Sequence, residues 1–322
     1  MKILVTGGSG YIGSVTVSNL LERGHDVTVF DNLLYGHKDA VSCPLIAGDL
    51  LDKDFLRESL DKKNFDAVIH FAAYALAGES MITPYKYFSN NIQGGLNLLE
   101  VMKAKKIRHI IFSSTCSVYG TPQKLPVNEA EEKNPENVYG ESKLAFEKIL
   151  QWYDKIYGLK HISLRYFNAA GASLDGKLGE NHNPETHIIP NAIKAAINRN
   201  QFNLYGNDYP TEDGTCIRDY IHVEDLAEAH VLALKKLTNI NKSDVYNIGS
   251  GFGFSNLQII NKVNEITKQN LNVVVKQRRQ GDPGIVYADI TKAKKILKFN
   301  PKYSDLDTIV KTAYNWHKSN NG

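Results

Sequence analysis

In Tyr139-Gly140-Glu141-Ser142-Lys143 a tyrosine and a lysine stand four residues apart, a spacing that sets both on one face of a helix. A phenol titrates near pH ~10 and is a poor base at neutrality. Lowering it by about three units takes roughly 4 kcal/mol of preferential stabilisation of the phenolate. A neighbouring ammonium and a cationic cofactor ring carry charge of the right sign. Y-x-x-x-K alone recurs by chance on solvated helix faces. Here the hydroxyl run Ser113-Ser114-Thr115 closes an apolar stretch, so its side chains are expected at the same sheet edge. Hydroxyl, phenol and ammonium together form a proton-handling set.

A second constellation lies in Thr6-Gly7-Gly8-Ser9-Gly10-Tyr11-Ile12-Gly13, with glycines at 7, 10 and 13 in a G-x-x-G-x-x-G pattern. Missing side chains let backbone approach a pyrophosphate, and the following helix offers unpaired N–H groups and the positive end of its dipole. A glycine pattern alone equally fits a plain turn. Asp31 adds context: it closes the next apolar run, 18 residues past Gly13, where a carboxylate accepts hydrogen bonds from an adenosine ribose. The same charge repels a 2′-phosphate, so NAD is expected rather than NADP. Asp49-Leu50 and Phe71-Ala72-Ala73 follow later strands along the edge where open parallel sheets bind ligands. For Asp49, a helix N-cap is the competing explanation.

The elements needed to hold these groups are legible in the hydrophobic pattern. Apolar runs at Ile3–Thr6, Asp26–Phe30, Pro44–Ala47, Ala67–Phe71, His109–Ser113 and Ile162–Tyr166 alternate with helical periodicity at Ile12–Arg23, Tyr85–Lys105 and Glu141–Tyr157. Alternation of this kind predicts an α/β fold, a doubly wound parallel sheet of Rossmann-like form with helices on both faces. After Asn168 the alternation loosens into Gly-, Asn- and Pro-rich loops around one helix, Ile188–Arg199. We expect a dinucleotide-binding domain over 1–168 and a smaller C-terminal α/β substrate lobe over 169–322. The segment about 215–250 is expected to return to the first sheet through a strand at Asp244–Ile248.

Composition restricts the function classes. The chain has 322 residues, 42% hydrophobic and 23% charged, with mean hydropathy −0.33, values of a folded globular protein. No run approaches the ~18–20 apolar residues of a membrane span. A net charge of +3 leaves no basic surplus for nucleic acid. The apolar run after Met1-Lys2 is too short for a secretory signal, so a cytoplasmic setting is expected. Cys43, Cys116 and Cys216 form no C-x-x-C, and no two histidines stand at i,i+4, so neither a disulfide framework nor a metal centre is expected.

With the glycine pattern, Asp31 and the Thr115–Tyr139–Lys143 set in order, the chain resembles the extended branch of the short-chain dehydrogenase/reductase family, and within it the nucleotide-sugar 4-epimerases. Leu164–Asn168 and the long run Gly206–Asp225 match that group closely. The resemblance implies reversible C4 epimerisation of UDP-glucose and UDP-galactose through a transient 4-keto sugar, with tightly bound NAD. Tyr139 would take the proton from the sugar 4-hydroxyl. Lys143 would lower its pKa and hold the nicotinamide ribose, and Thr115 would hydrogen-bond the same sugar hydroxyl. Cofactor contacts would run through Gly7, Gly10, Tyr11, Ile12 and Gly13, then Asp31, Asn32, Asp49 and Leu50. Phe71, Ala72, Ala73, Asn90, Ser113 and Phe167 would complete them with Tyr139 and Lys143. Asn168, Arg218 and Arg279 would meet the UDP pyrophosphate or nearby groups; Leu204, Tyr205 and Tyr220 the uridine; Asp282 its ribose; His187 and Ile188 the substrate loop. The resemblance also implies a homodimer through Tyr85–Lys105 and Glu141–Tyr157, with Phe146, Trp152 and Tyr153 on the outer faces.

Two departures from the family pattern stand out. Ala75 occupies a position where some members carry a lysine beside the cofactor. Val286 falls where bulky residues accompany restriction to plain hexoses, so a bifunctional or primarily UDP-N-acetylglucosamine 4-epimerase is the alternative. A 4,6-dehydratase of the same family would carry Asp-Glu directly after the threonine, whereas Thr115 is followed by Cys116-Ser117. A dehydrogenase releasing NADH and a non-catalytic NAD-binding regulator complete the rivals, since fold does not fix function.

Overall fold

The computed structural model of the chain describes every residue except 62, 241, 279–281, 321 and 322. The chain begins β1 (Lys2–Thr6), α1 (Tyr11–Glu22), β2 (Asp26–Asp31), β3 (Leu45–Ala47), α2 (Lys53–Ser59) and β4 (Ala67–His70). It continues α3 (Ala77–Ser80), α4 (Pro84–Phe88), α5 (Gly95–Ala104), β5 (His109–Thr115), α6 (Val138–Tyr157) and β6 (Lys160–Tyr166). The second half holds β7 (Asn168–Ala170), α7 (Ile188–Asn198), β8 (Gln201–Tyr205), β9 (Ile217–Arg218), β10 (Tyr220–His222), α8 (Val223–Ile240) and β11 (Asp244–Ile248). Last come β12 (Phe254–Ser255), α9 (Asn256–Thr267), β13 (Asn272–Lys276), β14 (Ile285–Val286), α10 (Thr291–Ile296) and α11 (Leu306–Asn320).

Seven strands form one sheet in the order β11-β6-β5-β4-β1-β2-β3, and every pairing in it is parallel. Strand residues alternate between two cores because successive side chains leave opposite faces. Ile3, Val5, Ile69 and Ile111 pack with Val17 and Leu20 of α1 and Leu226 and Leu234 of α8. Leu4, Val68, Ile110 and Phe112 pack with Leu98, Leu99 and Met102 of α5 and Phe146 and Leu150 of α6. The sheet is therefore doubly wound, and its reversal of strand order beside β1 opens the crevice where such sheets bind ligands. Phe146, expected on an outer face, is fully buried in the second core, whereas Trp152 is 58% exposed.

The C-terminal half contributes to both lobes. β11 pairs with β6, for example Tyr246 against Leu164, and so completes the sheet's edge. A third core joins α7, α9 and α11 with Phe202 and Leu204 of β8. β7 pairs with β10, and β9 lies between β12 and β14. Asp219 ties these pieces together. It is fully buried, and its carboxylate accepts the N–H groups of Ser250, Gly251 and Ala288 and the Ser250 hydroxyl at 2.7–3.1 Å.

The helix read over Tyr85–Lys105 is interrupted. α4 leads into a wider π turn at Ser89–Gly94 before α5 resumes. Asn91, within that turn, bonds Tyr74 N and O and the Ser142 hydroxyl at 2.9–3.1 Å, fastening it to α6. The loops after Asn168 also carry more regular structure than expected, because β8 pairs with β13.

Candidate active site

The glycine-rich turn packs closely against its own backbone and the end of β4. Gly7 has φ +72°, and a Cβ there would stand 2.5 Å from Ala72 N; a Cβ on Gly13 would overlap the Gly7 carbonyl oxygen. Gly10 caps α1 without a side-chain hydrogen bond, and the helix has no acidic residue in its first turn. Its N–H groups are thus left to an anion. Asp31 ends β2 beside this turn, 7% exposed, accepting Ser9 N at 3.0 Å and Leu33 N at 2.9 Å. Burial raises its pKa while these two bonds oppose the shift. Asn32 Nδ2 donates to Asp49 Oδ2 at 3.0 Å, which links the ends of β2 and β3. Asp49 does not cap α2; Asp52 does, accepting Phe55 N. Leu50, buried, offers its carbonyl to Asn97, and the amides of Phe71 and Ala72 donate to Thr6 O. Ala73 continues that edge, half-buried, and Asn90 donates to Asn91 Oδ1 in the π turn. Ala75 is exposed. Tyr11 and Ile12 open α1 just past the glycines, and the Tyr11 hydroxyl donates to Gly171 O at 2.6 Å.

Tyr139 and Lys143 both lie within α6, which starts earlier than the sequence indicates because the Asn137 side chain caps it through Gly140 N at 2.8 Å. They are 8% and 3% exposed. Thr115, at the end of β5, hydrogen-bonds Tyr139 and accepts Ser117 N. The Tyr139 pKa is driven up by burial and by the Tyr166 hydroxyl, against the pull of the Thr115 bond. Lys143 Nζ donates to Ser113 O at 2.8 Å and sits 5.9 Å from the Tyr139 ring centre. Burial lowers Lys143 to about 7, and the Glu147 charge holds it from falling further. The Ser113 hydroxyl and Tyr166 share a 2.5 Å hydrogen bond, and Phe167, 4% exposed, donates its amide to Ile248 O. In the chain alone the ammonium thus points at a carbonyl rather than at the phenol oxygen.

Sequence reasoning missed what lies beneath this pair. Glu147, four residues past Lys143, is 1% exposed and binds Arg165 through Nε at 2.9 Å and Nη2 at 2.5 Å, and Ser114 at 2.6 Å. The i,i+4 spacing of Lys143 and Glu147 was the available signal.

Across the crevice, Arg218 pairs with Asp282, and Val286 stands in register beside Arg218. Arg218 charge reaches Cys116, the neighbour of Thr115, which joins this group to the Tyr139 end. Asn168 Nδ2 donates to Asp219 O at 2.8 Å. Leu204 and Tyr220 share a core with Ile188. Tyr205 lies on the opposite, exposed face of β8 from Leu204. His187 sits beside Glu180 and Glu185. Arg279 lies outside the described residues.

An open parallel sheet with an uncapped glycine-rich helix and a buried tyrosine–lysine pair at its carboxyl edge defines a dinucleotide-dependent enzyme class. The chain belongs to the NAD dependent epimerase/dehydratase family, whose model matches residues 3–249. Among curated relatives, the UDP-glucose 4-epimerase of Lacticaseibacillus casei is 50% identical over 99% of this chain and 97% of its own length. The UDP-glucose 4-epimerase of Brucella ovis, solved in complex with NAD, superposes with TM-score 0.95 at 47% identity, covering 97% of each chain. That of Bifidobacterium longum, solved with NAD+ and UDP, gives 0.94 at 36% identity, covering 100% of this chain and 99% of its own.

Proposed function

We propose that this protein interconverts UDP-glucose and UDP-galactose by inverting carbon 4 through a transient 4-keto sugar, with NAD held throughout. The observation that carries the reading is the buried Thr115–Tyr139 contact with Lys143 on the same helix, at the sheet edge that the glycine turn opens. The residues fit NAD: Gly7 and Gly13 let the turn fold tightly against its own backbone, the uncapped start of α1 suits a pyrophosphate, and the Asp31 carboxylate suits an unphosphorylated adenosine ribose. When bound, NAD supplies the hydride acceptor and donor for carbon 4.

The chain's own residues do the rest. Tyr139 takes the 4-hydroxyl proton, and Thr115 orients that hydroxyl. Because burial raises the Tyr139 pKa, the phenolate needs positive charge in the pocket; Lys143, bonded to Ser113 O in the chain alone, would contribute its share and would hold the nicotinamide ribose. Arg218, exchanging Asp282 for phosphate oxygens, anchors the diphosphate by charge-assisted bonds, and Asp282 is freed for the uridine ribose. Asn168, Leu204 and Tyr220 line the remainder. Residues 1–168 would hold the cofactor and 169–322 the nucleotide sugar. We place the protein in the cytoplasm as a homodimer formed over α4, α5 and α6, where Tyr85, Trp152 and Ile156 are 84%, 58% and 61% exposed. Among the described residues no helix is long and apolar enough to cross a membrane.

The test is incubation of the purified chain with UDP-galactose and no added NAD, following the C4 proton by NMR. Conversion to UDP-glucose is expected. Tyr139→Phe should lose about 10²–10⁴ in turnover and keep its nucleotide. Stoichiometric release of NADH, or unchanged sugar after NAD is supplied, would defeat the reading.

A further inference from the structure

We propose that Glu180, His182, Glu185 and His187 form a site for one divalent transition-type cation, with zinc the best match to the donor set. These residues lie in the segment between β7 and α7. One donor atom from each lies within 4.8 Å of the others. A four-coordinate zinc with bonds of about 2.0–2.2 Å separates its ligand atoms by roughly 3–3.5 Å, so small side-chain rotations close the cage. Two imidazole nitrogens and two carboxylate oxygens favour zinc over calcium or magnesium, which prefer all-oxygen shells.

Burial supplies the independent argument. The Glu180 and Glu185 side chains are 4% and 5% exposed. Glu185 Oε1 accepts Thr186 N at 2.8 Å and His187 N at 3.0 Å, but its Oε2 is buried with no hydrogen-bond donor. Lys194 Nζ lies 4.0 Å from that oxygen. His182 Nδ1 is buried 3.1 Å from Glu180 Oε1. A carboxylate removed from water costs several kcal/mol unless balanced, and Glu185 Oε2 has no hydrogen-bond donor to balance it. A dication would balance it and use the idle Oε2 atom.

The placement gives the cation a purpose. Tyr11, just past the glycine turn, packs edge-on to His182 with ring centres 6.5 Å apart, and the Trp316 ring of α11 fills the space over Gly179. His187 and Ile188 open α7. A bound cation would therefore fasten the start of α7 to the loop that packs on Tyr11 at the start of α1. The spacing E-x-H-x-x-E-x-H follows no helical period, so the sequence expectation of no metal, built on helical and C-x-x-C patterns, passed over it.

The test uses the full chain, stripped with EDTA, desalted and titrated with zinc chloride. Bound metal is measured by elemental mass spectrometry and the melting temperature by calorimetry. We expect about one zinc per chain to survive desalting and the melting temperature to rise by several degrees. His182→Gln and Glu185→Gln should each weaken retention at least about tenfold, while Cys43→Ser and Cys216→Ser keep it. Cobalt substituted for zinc should show the visible bands of a four-coordinate site without thiolate charge transfer, a readout that stands even where a variant fails to fold. A wild-type chain that retains no zinc, equal retention in both variants, or a cobalt spectrum with thiolate bands would overturn the proposal.

Discussion

Lys143→Met should make the protein more stable at neutral pH while removing its chemistry. Burial lowers the lysine from 10.5 to about 7, with Glu147 opposing. Between those values the unfolded chain holds a proton that the native chain has released, so wild-type stability climbs as pH rises from 7 towards 10.5. At pH 7 the penalty for the buried ammonium is about 4 kcal/mol at 1.36 kcal/mol per unit. Methionine pays none of it and gives up the 2.8 Å bond to Ser113 O, a loss of about 1–2 kcal/mol. The net gain is about 2–3 kcal/mol, or roughly 3–5 °C in melting temperature for a chain of this length. The difference should close by about 1.4 kcal/mol per pH unit and approach zero near pH ~9. The assay is calorimetric melting of both chains, freed of nucleotide, at pH 7, 8 and 9. A variant that melts lower at every pH, or a gap independent of pH, would refute the assignment of Lys143 as a strained buried base.

Two further outcomes follow from the same packing. Glu147→Gln strands the Arg165 guanidinium in the core and should cost about 3–5 kcal/mol in denaturant titration, most of it recovered in the double variant Glu147→Gln/Arg165→Met. Gly13→Ala places a methyl against the Gly7 carbonyl oxygen, with about 1–3 kcal/mol of overpacking; co-purified nucleotide, read by absorbance after denaturation, should fall at least about tenfold.

Much of the frame was legible because parallel strands covered on both faces read as continuous apolar runs. β1, β5 and β6 fall within two residues of the runs that mark them. The glycine turn and the Thr115–Tyr139–Lys143 set are local patterns, and α6 and β5 carry them to one edge. What stayed hidden depends on partners distant in sequence. The Arg218–Asp282 pair spans 64 residues, and its strands β9 and β14 have two residues each, too short for any period. The π turn at Ser89–Gly94 is set by Asn91 reaching Tyr74 and Ser142, contacts that hydrophobic periodicity does not encode. The resemblance sets Tyr205 with Leu204 on the uridine side, whereas alternation along β8 sends the two to opposite faces.

The pairing of β11 with β6 also sets a timetable for synthesis. When Tyr166 leaves the ribosome, the β6 edge has no neighbour and α1 lacks the helix that covers it, since α8 has not been made. About 80 residues must follow before Ile248 emerges, roughly 4–16 s at ordinary elongation rates. Through that interval an apolar strand with open backbone groups is available to other nascent chains. Slow codons within α8 would lengthen this window and should lower the yield of soluble protein.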